Sequence, residues 1–319
     1  MESLPSDIVL DIVSRVPAES VLECKLVCKL WGTLFRGSNF ANLHLSHQLN
    51  HLHGGGDDGN DDLAASKVEP CLFFACRIDY PANFITLLYH GGQVSDWISI
   101  GKKYIFIENL KRIYHAPMHT NYLSDHLVGS CNGLVCTFQL HNLVLDPIYI
   151  CNPLTREYVY LPELVVNKEG VDPHRIVKGD VDLCNHMACG FGYVRSTNEY
   201  KVVRIHYLDN DGHVEVYTFG SGCGWRAIGR VPYQLSKFNG GKATNANDAM
   251  YWISYNRVVA FDLDKEEFRL LSVPPCLQNR QNEDRCGLVA LGRHLCLYMN
   301  KLRCKIWSLM ESSDSKETW

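Results

Sequence analysis

Apolar positions follow two different periods along the chain, and the change of period divides it. Near the N-terminus Ile8, Ile12 and Val16 lie four residues apart, which is the spacing of one face of an α-helix. Pro5 precedes this run and Pro17 follows it, at positions where proline favours the start of a helix and prevents its continuation. The pattern therefore predicts a first helix between these two prolines.

A second helix is predicted to begin near Ser20, because apolar residues again fall on two adjacent helical rows. A short third helical piece carries Phe40, Leu43 and Leu45. Together the three helices occupy residues 1–46, a length near the lower limit at which a lone hydrophobic core is sufficient. The two rows of the second helix are Leu22, Leu26 and Leu30, and Val27, Trp31 and Leu34.

Residues 47–67 interrupt this pattern and are predicted to form a flexible linker. The stretch from His51 to Lys67 holds four glycines and four aspartates among its seventeen residues, a composition that cannot bury a core. His51 and His53 lie within it, and isolated histidines in a solvated linker are not expected to bind metal.

Beyond the linker the chain changes to short strand-like segments and is predicted to be almost all β. Tyr200–Tyr207 and Val214–Phe219 flank an Asp-Asn-Asp-Gly turn, which favours a β-hairpin. Met250–Ser254 and Arg257–Asp262 flank a two-residue turn in the same way. Residues 68–319 therefore form the second predicted domain.

A unit repeats within this β domain. Each full copy consists of a strand, a polar turn, an aromatic residue that opens the next strand, and an apolar residue followed by proline. Pro232 and Pro274 are 42 residues apart, close to the length of one blade of a β-propeller. Because radial repetition of small sheets protects strand edges, a propeller-like fold is predicted, with a β-sandwich as the alternative. The copies begin at Ile150, Val216, Phe261 and Lys305.

The composition argues against several classes of protein. Apolar residues make up 46% and charged residues 21% of the chain, so global disorder is excluded. The net charge of −4 argues against binding to nucleic acid or to a membrane surface. The first residues do not resemble a secretory signal, and no stretch is apolar enough to span a bilayer. A location in the cytoplasm and/or nucleus is therefore expected.

Fourteen cysteines fit that location, because thiols stay reduced there. Cys184, His186 and Cys189 form a cluster with some likeness to a metal site, but no second pair of ligands stands close by. Neither a metal nor a cofactor is therefore expected. Six other cysteines lie in apolar runs and are interpreted as small buried hydrophobes, namely Cys71, Cys76, Cys136, Cys151, Cys296 and Cys304.

The N-terminal segment resembles the F-box motif. Leu4-Pro5-Ser6-Asp7-Ile8, then Val16-Pro17, and then Val27-Cys28-Lys29-Leu30-Trp31 follow the order and spacing of that motif. The chain departs from this motif at Gly32, where arginine is usual. The resemblance implies that residues 1–46 bind a Skp-type adaptor through an apolar face. The adaptor anchors implied are Leu4, Pro5, Ile8, Ile12, Pro17, Leu22, Val27 and Trp31.

The β domain resembles the F-box-associated domain of plant F-box proteins, a family that includes kelch-like members. Met250-Tyr251-Trp252 departs from the family's usual string at that place. The chain also stops at Trp319, where members usually continue, which leaves open an incomplete last blade. The matching segments include Gly129–Cys136, Asn152–Arg156, Leu161-Pro162, Phe191–Tyr193, Val214–Thr218 and Val259–Leu263.

These two resemblances imply an α+β multidomain protein that is the substrate-recognition subunit of a Skp–Cullin–F-box ubiquitin ligase. The F-box would bind the adaptor, and the β domain would hold an unidentified target protein near the ubiquitin-conjugating enzyme, without catalysis by this chain. A stand-alone propeller that binds proteins or glycans is the alternative. No catalytic motif is recognised in the sequence. Candidate target-contact loops are Asn167–Asp182, Ser236–Asp248 and Gln278–Arg285.

Overall fold

The structure of the protein is a computed structural model. It describes residues 4–53, 72–78, 84–90, 111–113, 127–141, 144–155, 157–163, 187–208, 211–235, 241–272, 274, 277, 285–291, 294–300, 304–311 and 317–319. The chain divides into two compact units, of which the first contains the N-terminal helices and the second contains most of the β-strands. The part of the predicted linker beyond residue 53 and the predicted loop Asn167–Asp182 lie outside the described residues.

Four helices, rather than the predicted three, fill the N-terminal segment. They are α1 Ser6–Ser14, α2 Ala18–Cys24, α3 Lys29–Leu34 and α4 Ser38–His53. The second predicted helix is broken after Cys24, where the N–H groups of Leu26 and Val27 donate to carbonyls three residues earlier. Cys28 is then extended (φ −156°), and its Sγ accepts a 3.5 Å hydrogen bond from the N–H of Trp31, so a new helix begins there.

The third predicted piece is the longest helix of the segment. α4 covers 16 residues and ends at His53, so the prediction of linker structure for residues 47–53 is wrong. The reason is visible in the sequence, since Leu45, Leu49 and Leu52 continue the helical spacing of apolar residues into the polar stretch.

The helices enclose a small core of their own. Its buried residues come from α1, α2, α4 and the end of α3, and Leu10, Val16, Cys24, Trp31 and Leu34 pack against them. The buried residues are Val9, Val13, Val21, Phe35 and Phe40.

The rest of the described chain is built from antiparallel strands. β1 Leu72–Ile78, β2 Phe84–His90 and β3 Lys111–Ile113 form one three-stranded sheet. Three sheets of four strands then follow, each with its strands paired in chain order, and we call them blades 1 to 3. Blade 1 consists of β4 Leu127–Cys131, β5 Leu134–His141, β6 Val144–Cys151 and β7 Tyr158–Tyr160. Blade 2 consists of β8 Met187–Val194, β9 Glu199–Leu208, β10 Asp211–Thr218 and β11 Trp225–Val231. Blade 3 consists of β12 Thr244–Ala246, β13 Ala249–Ser254, β14 Arg257–Asp262 and β15 Glu267–Leu270.

A further sheet, blade 4, contains the last strands. β16 Arg285–Leu291, β17 His294–Asn300 and β18 Cys304–Ser308 pair in that order. The N–H of Leu309 donates to the carbonyl of Leu295 at 2.8 Å, so the line of β18 continues into β19 Met310–Glu311. β19 pairs with β20 Glu317–Thr318, which places a short strand beyond the third strand of this blade.

Successive blades share hydrophobic cores, which is the arrangement of a propeller. One core joins buried residues of blades 1 and 2, a second joins blades 2 and 3, and a third joins blades 3 and 4. All eight residues of β8, the first strand of blade 2, are buried. A blade that packs against both its neighbours along the chain does not fit two sheets stacked face to face, so the propeller-like prediction is confirmed over the sandwich.

The repeated sequence unit is the hairpin made by the third and fourth strands of a blade. β6 and β7, β10 and β11, and β14 and β15 contain the three full copies, and β18 contains the start of the fourth. The apolar residue at the end of a copy is buried, as Leu161 and Val231 show. Both predicted hairpins are confirmed, as β9 with β10 and β13 with β14.

Candidate adaptor-binding surface

One face of α1 presents large apolar side chains to solvent. Leu4, which precedes the helix, and Ile8 and Ile12 on it are four residues apart, and all three are exposed. Val9 and Val13, on the adjacent row, are buried in the core of the helices. The helix therefore has apolar residues on two rows, and only one of them is used for its own packing.

Hydrogen bonds at both ends hold α1 in place. The carbonyl of Pro5 accepts the first bond of the helix at 3.1 Å. Nη2 of Arg15 donates to Oδ1 of Asp11 at 2.8 Å, and this hydrogen bond lowers the pKa of the Asp11 carboxyl. Nε2 of His44, on α4, donates to the carbonyl of Val16 at 2.9 Å, which ties the end of α1 to the last helix.

A second exposed apolar group lies where α2 turns into α3. Leu26 is 86% exposed and Leu30 is 62% exposed, with Val27 exposed between them. The break of the helix after Cys24 produces this exposure, because it places these side chains at a corner instead of along one buried face. Monomeric proteins seldom expose apolar side chains in such groups unless another molecule covers them.

Trp31 serves the packing of the helices. Its ring centroid lies 5.5 Å from that of Phe35, and Phe35 lies 4.9 Å from Phe40. His44 continues this row of rings at 5.7 Å from Phe40. The contact between Phe35 and Phe40 connects the end of α3 to α4, and the indole of Trp31 packs on Phe35 from within α3.

The predicted anchors therefore separate into two kinds. Leu4, Ile8, Ile12 and Val27 are exposed, as are the two prolines, and can contact a partner directly. Pro5 and Pro17 also provide the carbonyls that begin α1 and α2. Leu22 and Trp31 are half-buried.

The described parts of the candidate target-contact loops lie at the start of blades 3 and 4. Ser236–Asp248 connects β11 to blade 3, and its described part contains the strand β12, so the prediction of a loop is wrong over Thr244–Ala246. Asn245, on this strand, donates from Nδ2 to Sγ of Cys131 in β4 at 3.4 Å. The preceding residues 236–240, and 278–284 of the third predicted loop, lie outside the described residues.

The comparison with known families assigns both parts of the chain. Residues 1–43 match the family described as "F-box domain", and residues 87–319 match the family described as "F-box associated beta propeller domain". The chain belongs to the F-box proteins with an associated β-propeller. Both resemblances drawn from the sequence are confirmed.

Individual relatives of this F-box protein are plant proteins. It is 26% identical to the F-box protein At3g07870 of Arabidopsis thaliana, over 100% of this chain and 72% of that protein. It is 26% identical to the putative F-box/kelch-repeat protein At1g12870 of the same plant, over 98% of this chain and 70% of that protein. A solved structure of a mutant Aleuria aurantia lectin covers 78% of this chain and 72% of its own at 10% identity, with a TM-score of 0.38.

The F-box departs from its usual motif at Gly32, and the structure gives a reason. A Cβ at this position would lie 3.1 Å from the carbonyl oxygen of Lys25, at the end of α2. Glycine therefore allows α3 to approach the preceding helix closely.

Leu26 and Leu30 are the exposed residues that the list of anchors lacks. The sequence pattern placed them on one row of a continuous second helix with Leu22, and Leu22 alone of that row is among the predicted anchors. A signal was present in Cys28, which can cap a helix that begins one residue later, but cysteine is an unusual capping residue.

The cysteines and helices of the described part bear on the predictions for thiols, metal ligands and membrane spans. Cys136, Cys151 and Cys296 are buried as predicted, and burial raises the pKa of Cys151 to about 11. Within the described ranges no three His, Cys, Asp or Glu side chains are grouped as metal ligands. None of the described helices is long and apolar enough to cross a membrane.

Proposed function

We propose that this F-box protein is the substrate-recognition subunit of a Skp–Cullin–F-box ubiquitin ligase. The helices would bind a Skp-type adaptor and, through it, the Cullin, while the propeller would bind a target protein. The chain itself would perform no chemistry, because its contribution is to raise the concentration of target lysines near the ubiquitin-conjugating enzyme. A location in the cytoplasm and/or nucleus remains a prediction.

The observation that supports the proposal is the apolar surface that the F-box leaves exposed although its own core is filled. We call this set of side chains the F-box apolar surface and propose that it contacts the adaptor. It adds Leu26 and Leu30 to the predicted anchors. Trp31 is half-buried against the core of the helices and packs on Phe35, so it would support this surface from within rather than contact the adaptor itself. The surface consists of Leu4, Ile8, Ile12, Leu26, Val27 and Leu30.

A pull-down with a purified Skp-type adaptor tests the proposal. Leu30→Asp introduces a charge into the F-box apolar surface and is expected to abolish capture, because burying that charge in an apolar interface is costly. Asn39→Asp is the matched control, since it adds the same charge at an exposed site in the first turn of α4, where an acidic side chain is favourable. It is expected to retain capture.

Equal capture of both variants would contradict the assignment of this surface. Failure of the unmodified chain to bind any adaptor would contradict the proposed function, and the propeller would then be a stand-alone binding domain. A reconstituted ligase with a bound target tests the second half of the proposal, since ubiquitin should be transferred only when the F-box apolar surface is intact.

A further inference from the structure

β7, the last strand of blade 1, has an edge that no described strand covers. It follows β6 in the sheet order and pairs with β6 alone among the described residues. An open sheet edge presents unpaired backbone donors and acceptors, which another extended chain can use.

The pairing of β7 fixes which backbone groups face that open edge. Asn152 donates its N–H to the carbonyl of Glu157 at 2.8 Å, so these residues form a hydrogen-bonded pair. In an antiparallel ladder such pairs alternate, and the next pair, Cys151 with Tyr158, is therefore not hydrogen-bonded. The N–H and C=O groups of Tyr158, and of Tyr160 two residues on, point away from β6.

The side chains beside this edge form an aromatic platform. Tyr158 and Tyr160 are 49% and 56% exposed, and their ring centroids are 5.4 Å apart. Both rings stand against Tyr149 of β6, at 6.3 and 6.0 Å, and Tyr149 is buried. Tyrosine offers a large apolar contact area at a small cost in conformational entropy.

The fourth strands of the next two blades differ from β7 in a way that matters for pairing. β11 carries Arg226 and Arg230, and β15 carries Glu267 and Arg269, all of them exposed. Charged side chains on an outer strand oppose the addition of another strand. β7 has the sequence Tyr-Val-Tyr and no charge.

We propose that an extended segment of the target protein adds to the open edge of β7 as a fifth strand of blade 1. This inference rests on the proposed function, because it assigns the target contact of the propeller. Partner residues opposite Tyr158 and Tyr160 would be β-branched or aromatic, since such cross-strand pairs are the stabilising ones.

Selection from a displayed library of random heptapeptides against the full chain tests this proposal. Tyr160→Pro removes the outward N–H, and proline is tolerated on an edge strand where its missing N–H faces solvent. Tyr160→Thr removes the same ring but keeps that N–H, and is the matched control. Selected peptides are expected to alternate β-branched or aromatic residues with other residues, and to bind Tyr160→Pro about tenfold more weakly than Tyr160→Thr.

A backbone control separates strand addition from side-chain binding. Methylation of the peptide N–H groups that face β7 leaves every side chain in place, and it should reduce the affinity by a similar factor. Equal binding of methylated and unmethylated peptides would overturn the proposal. It would also be overturned if no peptide from the library were enriched more on the unmodified chain than on Tyr160→Pro. If the unmodified chain forms a dimer and Tyr160→Pro abolishes that dimer, the proposal is also overturned, because this edge is then a contact between two copies of the chain.

The two proposals fail in different ways. Adaptor capture is measured on the same Tyr160 variants and is expected to be unchanged, because blade 1 is separate from the F-box apolar surface in the chain. If the adaptor binds and the peptides do not, only the strand-addition proposal is overturned. If the adaptor does not bind, the proposed function is overturned.

Discussion

The guanidinium carbon of Arg204 lies 3.9 Å from the ring centroid of Trp225. Arg204 is on β9 and Trp225 opens β11, and the strand between them supplies Glu215, whose Oε2 accepts a 2.7 Å hydrogen bond from Nε of Arg204. Nε1 of Trp225 in turn donates to the carbonyl of Pro162 at 2.6 Å, just after β7. This stack therefore connects three strands of blade 2 to the end of blade 1.

Replacement of Arg204 should destabilise the propeller more than replacement of an exposed arginine. Its side chain is 4% exposed, so Arg204→Ala leaves Glu215 without its charge partner and Trp225 without its stacked cation. We expect a loss of about 3 kcal/mol in the free energy of unfolding, measured by denaturant titration. Arg230→Ala is the control, because its pair with Asp211 is exposed on both sides and should cost under about 1 kcal/mol. Similar losses in the two variants would contradict this account.

Two glycines with the same backbone conformation should tolerate alanine differently. Gly241 and Gly222 have φ angles of +72° and +73°. A Cβ at Gly241 would collide with the carbonyl oxygen of Met187, whereas a Cβ at Gly222 would meet nothing within 4 Å. Gly222→Ala should cost about 1 kcal/mol of backbone strain. Gly241→Ala should lower the melting temperature clearly further, and equal shifts in calorimetry would show that the collision is relieved.

The stability of blade 3 against acid should depend on Glu266. Its Oε1 accepts hydrogen bonds from Nη2 of Arg226 at 2.7 Å and from Nζ of Lys201 at 3.0 Å. Burial raises the pKa of the carboxyl, but these hydrogen bonds and the two positive charges outweigh burial and hold the pKa below its usual 4.5.

Because the pKa of Glu266 is lower in the folded state than in the unfolded state, its ionised carboxylate stabilises the fold at any pH above the unfolded-state pKa. This stabilisation is lost as the pH falls through the folded-state pKa. We therefore expect the free energy of unfolding to decrease as the pH is lowered below about 4.5. Glu266→Gln should be less stable than the unmodified chain at neutral pH, and the difference should shrink in acid. A difference that does not vary with pH would show that the ion pairs contribute nothing.

The last residue should contribute to the core between blades 3 and 4. Trp319 packs against that core, and its Nε1 donates to the carbonyl of Ser272 at 2.9 Å. Trp319→Ala is expected to cost about 2 to 3 kcal/mol, while Trp319→Phe keeps the ring and should lose only about 1 kcal/mol with the hydrogen bond. Unfolding followed by tryptophan fluorescence and by circular dichroism measures both, and an unchanged stability of Trp319→Ala would contradict this role.

Some features of the propeller could be predicted from local sequence because local physics fixes them. The turn at Asp262 is an example, since Oδ1 of this residue accepts hydrogen bonds from the N–H groups of Asp264 and Lys265, as an aspartate in a turn should. Likewise the two-residue turn after Ser254 needed only its flanking strands. The repeated hairpins were recognised for the same reason, because each is complete within one short stretch of chain.

The helical segment shows where local reasoning fails. Leu22, Leu26 and Leu30 fit one row of a continuous helix, and nothing in their spacing reveals that the chain turns at Lys25 to Cys28. The turn is set by how α3 packs, through Phe35 in the core of the helices and through the close approach of Gly32 to the carbonyl of Lys25. Exposure of Leu26 and Leu30 follows from that packing.

By itself, then, the sequence determined the change from helical to strand periodicity along the chain, the repeated hairpins of the blades, and the family, because each depends on the types and spacing of neighbouring residues. Only the tertiary structure decided which apolar side chains remain exposed and which strand edge no other described strand covers. The same is true of the contact between Arg204 and Trp225. These features depend on residues that are far apart in the chain and are brought together by the packing of helices and blades, which no local pattern records.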